Sequence, residues 1–104
     1  MNHEEVAASL AELGNSHRLA VFRFLVKAGH HGASVGEIKK SLGIPASTLS
    51  HHLARMVRVG LIRQERHSRT IICKPDYEHL DSLIGFLQSE CCAGVEVGPA
   101  PEPL

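Results

Sequence analysis

Three groups of side chains in the 104-residue sequence are of types and spacings that could do chemistry. Cys91 and Cys92 are adjacent near the C-terminal end. Vicinal thiolates suit soft ions, and a loose helix end would let both sulfurs turn onto one centre. The same thiols could instead be oxidised to a disulfide with another subunit. Ser47, Thr48, Ser50 and His51 crowd into five residues, with Arg55 one helical turn on. Hydroxyls and imidazoles donate or accept at base edges and phosphates within hydrogen-bond reach. Arg66-His67-Ser68-Arg69 offers two guanidiniums that can track phosphates or probe a minor groove.

The periodicity around these groups defines what positions them. Val6, Leu10 and Leu13 lie at helical spacing over residues 3–13, which end at Gly14. Asn15 or Ser16 can cap a second helix whose broad apolar face holds Leu19, Val21, Phe22, Leu25 and Val26. Ser34 with Glu37 forms a capping box for a short third helix carrying Ile38 and Leu42, stopped by Gly43. Pro45 is placed to start a fourth helix, about Ala46 to Val59, with Leu49, Leu53, Met56 and Val57 on one side. Residues 61–65 and 70–74 flank the polar turn 66–69 and read as a β-hairpin. Asp76 caps a last helix whose stripe is Leu80, Ile84, Leu87 and Cys91. Two short helices joined by a tight turn and followed by a hairpin make a winged helix-turn-helix. The expected fold is therefore mainly α with a small β-hairpin: five helices plus wing, over residues 1–92. Residues 93–104, with Gly94, Gly98, Pro99, Pro101 and Pro103, are expected to be a disordered tail.

The eleven basic and eleven acidic residues cancel in sum but not in position. Residues 34–74 carry eight Lys and Arg against two Glu, a balance of +6, whereas residues 75–104 carry six acids and no Lys or Arg. The basic segment coincides with the fourth helix and the wing, which points to a polyanion on that side. In such a fold the fourth helix enters the major groove with Ser47, Thr48, Ser50, His51 and Arg55 outward. Lys39 and Lys40 would meet the backbone, and Arg66, His67 and Arg69 would act from the wing. Double-stranded operator DNA is the expected partner, with no prosthetic group needed to bind it. No apolar run is long enough for a membrane span, and the acidic start lacks a signal-peptide core, so a cytoplasmic domain is expected.

Residues 17–72 resemble the ArsR/SmtB family of winged-helix repressors. The resemblance rests on His17-Arg18-Leu19-Ala20-Val21-Phe22-Arg23-Phe24-Leu25, on Glu37-Ile38 and Leu42-Gly43-Ile44, and most densely on Ser47-Thr48-Leu49-Ser50-His51-His52-Leu53. Met56 and Gly60-Leu61-Ile62 complete it. It implies a homodimer through the first and last helices, which here would use Val6, Leu10, Leu80, Ile84 and Leu87. It also implies a two-fold operator and release by an inducer. The Cys91-Cys92 pair is similar to that of arsenite-responsive members, so As(III) or a similar soft metal(loid) is the implied inducer. A third thiolate would come from Cys73, the other subunit or an exogenous thiol. The wing is shorter than usual and lacks a tip Gly. His52, three residues after Leu49, is expected to brace the third helix.

Other site chemistries fare poorly. The third-helix thiolate site would fall on Ser34-Val35-Gly36, which has no Cys. The interfacial zinc pattern finds only Asp76, Glu78 and His79, with no second His following. His30-His31 reads as a solvated loop pair. A Cys92 nucleophile with His79 as base has no oxyanion motif or phosphate loop beside it, so an enzyme is not expected. The readings kept beside metalloid sensing are a thiol-based redox-sensing repressor and a repressor with no metal site.

Overall fold

The structure is a computed structural model that describes residues 1–96. Five helices and three short strands follow in the order α1 (His3–Leu13), α2 (Ser16–Ala28), β1 (Ala33–Ser34), α3 (Val35–Leu42), α4 (Ala46–Arg58), β2 (Ile62–His67), β3 (Thr70–Pro75) and α5 (Tyr77–Gln88). Side-chain oxygens cap four of the helices, each taking one of the first-turn N–H groups that no helical carbonyl can reach. The Oδ1 of Asn2, Asn15 and Asp76 accepts from the amides of Glu5, Arg18 and His79. Ser34 and Glu37 form the full capping box at 3.0 Å in both directions. Pro45 sits at the N-cap of α4, which has no side-chain cap. Gly43 ends α3 in the left-handed conformation, turning the chain sharply into α4.

The core lies where α2, α3 and α4 meet the sheet. Val21, Phe22, Leu25, Ile38, Ile44, Leu49, Leu53, Met56, Leu61 and Ile62 are all buried there. The sheet is antiparallel in the order β1-β3-β2, and β1 is a two-residue strand too short to leave a periodic signal. The β2–β3 register pairs His67 with Thr70, so the turn is Ser68-Arg69 alone, with Ser68 at φ 58°. Arg66 and His67, expected in the turn, belong to β2.

Several expectations about the apolar faces need correction. Val6 is buried within the protomer, and Leu80 is partly buried against its core. Leu10, Ile84 and Leu87 remain exposed, as do Leu19 and Val57. The last helix ends at Gln88, short of Cys91. Ser89 takes an extended backbone there, and its hydroxyl donates to the Phe86 carbonyl at 2.7 Å, which competes with helix continuation. Residues 93–96 have no helix or strand, and residues 97–104 of the expected tail lie outside those described.

His52 is buried, and it braces α2 rather than α3. Its Nδ1 is 3.3 Å from an Arg18 terminal nitrogen, and its ring meets that of His17 edge-on at 5.7 Å. Burial, then the positive charge of Arg18, pushes the His52 pKa below 6.5. The unfolded chain therefore binds a proton at a pH where the folded protein does not. Stability from this site is complete above about pH 6.5 and declines as pH falls toward the lowered folded value. Urea midpoints measured from pH 7.5 to 5.5 should fall for the native protein and fall less for His52→Gln.

Backbone packing gives a second expectation. A Cβ on Gly32 would stand 2.4 Å from the Cys73 carbonyl oxygen and at φ +72°, whereas one on Gly29, at φ +87°, would meet nothing within 4 Å. Gly32→Ala should cost about 2–3 kcal/mol and Gly29→Ala about 1 kcal/mol, read as separate drops in Tm.

Candidate nucleic-acid interface

Leu49, Leu53 and Met56 fall on one side of α4 and are pinned in the core, so the helix can present only its other side. That side carries Ser47, Thr48, Ser50 and His51, all exposed. Lys39 and Lys40 are exposed in the last turn of α3, where they also complement the negative end of the helix dipole. Arg66, His67 and Arg69 are exposed on the wing. A cleft of about 520 Å³ runs between the start of α3, α4 and the hairpin. Ser34, Ser50, Gln64, Arg69 and Thr70 are among its lining residues, so the recognition helix and the wing tip share one concave surface.

The wing carries its own charge arrangement. Glu65 Oε2 lies 3.0 Å from Lys74 Nζ and 3.2 Å from His67 Nε2. Lys74, then His67, holds the Glu65 carboxyl below its ordinary pKa. Glu65 thereby relieves the like-charge pairing of Arg63 with Lys74 across the ladder. It also holds His67 sideways along the strand, while no ion pair involves Arg66 or Arg69 among the described residues.

Arg55 is not free in the same way. Its Nε and one terminal nitrogen donate to Glu12 at 2.8 and 3.1 Å, a two-pronged grip on the last turn of α1. Arg18 shares that carboxylate at 3.1 Å and donates to the Glu12 backbone carbonyl at 2.7 Å. The Arg55 side-chain hydrogen bond is the main influence holding the Glu12 pKa below 4.5, ahead of the opposing effect of burial. Reading the sequence for function missed Glu12 and Arg18 altogether. Only the pairing of charge types hinted at the link, since 43 residues separate Glu12 from Arg55.

The three cysteines divide by environment. Cys91 and Cys92 are exposed in the turn after α5, with their Sγ atoms 3.1 Å apart. Both are free cysteines whose Sγ atoms face one another. The neighbouring Cys92 pushes the Cys91 thiol pKa up. Cys73 is sealed between strands and core, with Gln64 Nε2 at 3.5 Å, and burial pushes its thiol pKa up as well. A third thiolate from Cys73 would require the sheet to open. Among the described residues, no group of three His, Cys, Asp or Glu side chains is arranged to hold a metal ion. His79 has its Nε2 2.8 Å from the buried Ser9 hydroxyl, and the His30 ring packs against Tyr77 at a tilt of 48°. No helix of the described residues is long and apolar enough to cross a membrane.

Known proteins share this arrangement. Residues 13–65 match the helix-turn-helix domain family. The HTH-type transcriptional regulator YgaV of Escherichia coli is 34% identical over 89 residues, covering 86% of this chain and 88% of that protein. The ArsR-like transcriptional regulator from Rhodococcus sp. RHA1 superposes with a TM-score of 0.73 at 20% identity, over 83% of this chain and 78% of its own. The transcriptional repressor BigR from Xylella fastidiosa gives 0.66 at 28% identity, over 88% and 90%. A homodimeric winged helix-turn-helix DNA-binding domain from Mycobacterium bovis, Mb0332, gives 0.66 at 22% identity, over 84% and 81%. With that exposed helix face and these relatives, the chain belongs to the helix-turn-helix family of transcriptional regulators, and its fold is that of the ArsR-like winged helix-turn-helix proteins.

Proposed function

We propose that the protein is a homodimeric repressor that binds a two-fold operator and is released when a soft metal(loid), trivalent arsenic in the first instance, binds Cys91 and Cys92. The observation that supports DNA reading is the shared cleft: Ser50 of α4 and Arg69 of the wing line one surface beside exposed Ser47, Thr48 and His51. Two such helices about 34 Å apart would lie in successive major grooves, with the wings on the flanks. Exposed Leu10, Ile84 and Leu87 supply apolar surface for a second copy of the chain. Repression and dimerisation find support in BigR and Mb0332, which share the fold.

The two exposed thiols 3.1 Å apart favour a soft, thiophilic ligand. When bound, such an ion would accept the two thiolates as ligands and favour one setting of the C-terminal turns over another. An inducer must bind the two settings unequally to shift the balance between them. The remaining thiolate would come from the partner subunit or an exogenous thiol, given the burial of Cys73. A second reading rests on the same exposure: oxidation of either thiol to an intersubunit disulfide would bring about the same release.

Fluorescence anisotropy on a duplex from upstream of the protein's own gene tests both parts. Arg69→Ala should lower the salt dependence by about one phosphate contact, while His51→Ala should cost about 1–3 kcal/mol on the operator and little on unrelated DNA. Arsenite under reducing conditions should weaken operator binding by about 5–150-fold, and Cys91→Ser/Cys92→Ser should abolish that response. Release by a mild oxidant alone would establish the redox reading. Indifference of a DNA-binding protein to arsenite, zinc and oxidant would leave a repressor without a sensor at the cysteines.

A further inference from the structure

Arg55 is partly exposed on the recognition helix, and its guanidinium is taken up by a carboxylate from a different part of the chain. Glu12 is nearly buried, with only 12% of its side chain exposed, and it accepts from two arginines on two helices. Both Arg55 bonds are charge-assisted, and their parallel geometry fixes direction as well as distance. Arg18, the other occupant of that carboxylate, also reaches His52 Nδ1. His52 and Arg55 lie three residues apart, so they occupy neighbouring positions on α4. The end of α1 therefore holds α4 at two points outside the apolar core, one directly and one through Arg18.

From this geometry we propose that Glu12 is a positioning residue for DNA reading, gripping the recognition helix through Arg55 so that the placement of α1 sets the placement of Ser47, Thr48, Ser50 and His51 in the groove. The inference rests on the DNA-binding reading above and changes the role of Arg55 from DNA contact to strut. Leu10, two residues before Glu12, is exposed on the same helix. The helix that offers apolar surface to a second copy thus also carries the grip on α4. Loss of the grip leaves the core residues of α4 in place, so the helix stays folded but is held less tightly against α1.

The two roles for Arg55 predict different salt slopes for Arg55→Gln and opposite effects of Glu12→Gln. A strut does not touch phosphate, so Arg55→Gln should leave the salt dependence of binding unchanged on any DNA. It should instead lower the preference for operator over a scrambled duplex by about tenfold. Glu12→Gln, which also weakens the hold through Arg18, should lower that preference at least as much, and the double variant should lose no more than Glu12→Gln alone, because the Arg55 link is already gone. Arg55→Gln leaves Glu12 paired with Arg18, so no buried charge is stranded and the variant should fold. Arg55→Lys, which keeps the charge but only one prong, should retain part of the preference.

Anisotropy titrations of the full chain on both duplexes at several salt concentrations, with Tm recorded for each variant, read all of these quantities. A fall of about one in the salt slope for Arg55→Gln, with tighter binding for Glu12→Gln, would overturn the proposal, since Arg55 would then be a phosphate contact restrained by Glu12. Unchanged preference in Arg55→Gln and Arg55→Lys, or losses that simply add, would also overturn it while leaving DNA binding intact. A native protein with no preference between the duplexes would overturn the DNA-reading function together with the inference.

Discussion

The structure depends on burying one side of α4. Leu49, Leu53 and Met56 are no more than 2% exposed, held by α2, α3 and the first residues of the wing. Truncating a leucine at such a position typically costs 2–5 kcal/mol, a large share of the stability of a domain this small. Since the helix cannot roll without exposing these residues, its polar perimeter is fixed relative to the rest of the molecule. The exposure of Ser47, Thr48, Ser50 and His51 follows from the burial of their neighbours. Leu61 and Ile62, buried directly after Gly60, extend the same constraint into β2 and so hold the wing beside the helix.

Charge then decides which parts of that perimeter are available to a polyanion. Carboxylates are few in the basic segment, and each has a local use. Glu37 closes the cap of α3, and Glu65 settles the cross-strand crowding of Arg63 and Lys74. Glu12 comes from outside the segment and takes up Arg55. Lys39, Lys40, Arg66 and Arg69 stay outside these ion pairs and leave an excess of positive charge on α3 and the wing, with Arg69 lining the cleft itself, whereas Arg63 lies beside Asp76 and Glu78. A cluster of this kind raises the local concentration of a nucleic acid at low salt and loses that advantage as salt rises.

Much of this was legible in the sequence because the relevant signals are local. Caps at Asn15, Ser34 and Asp76, the stop at Gly43 and the apolar spacing of α4 each act within four residues, and each appears in the structure where the residue types put it. What escaped depends on distant partners. The pairing of β1 with β3 has too few residues for a pattern and is set by the close approach of Gly32 to Cys73. The burial of Val6 follows from α1 folding back across its own domain, which periodicity cannot separate from a face awaiting a second subunit. Arg55 reads as a DNA contact by position, and its grip on Glu12 leaves no local signal because that carboxylate arrives from another helix. The end of α5 was misread for a local reason: the apolar stripe runs on to Cys91, but the Ser89 hydroxyl competes for the Phe86 carbonyl before it gets there.

That early helix end constrains how events at the cysteines can reach the DNA-reading face. Cys91 lies in a turn closed by its own amide to Gln88 at 3.2 Å, not on the rigid rod of α5. A change confined to the turn is absorbed locally unless it moves α5 itself. Once α5 moves, the contacts are specific. Its His79 is bonded to Ser9, which is fully buried on α1, and its ring packs where a Cβ on Gly60 would meet it at 3.1 Å, just past α4. Three residues beyond Ser9, Glu12 holds Arg55. Displacing α5 must therefore either break the Ser9–His79 bond or carry α1 with it, and carrying α1 pulls on the recognition helix through a bidentate ion pair. Because a hydrogen bond between partly buried groups is costly to leave unmade, carrying α1 is the cheaper course for small displacements. For a ligand held at Cys91 and Cys92 as proposed, the stiffness of the Ser89–Cys92 turn would then set how far its binding displaces α5 and, through α1, the fourth helix.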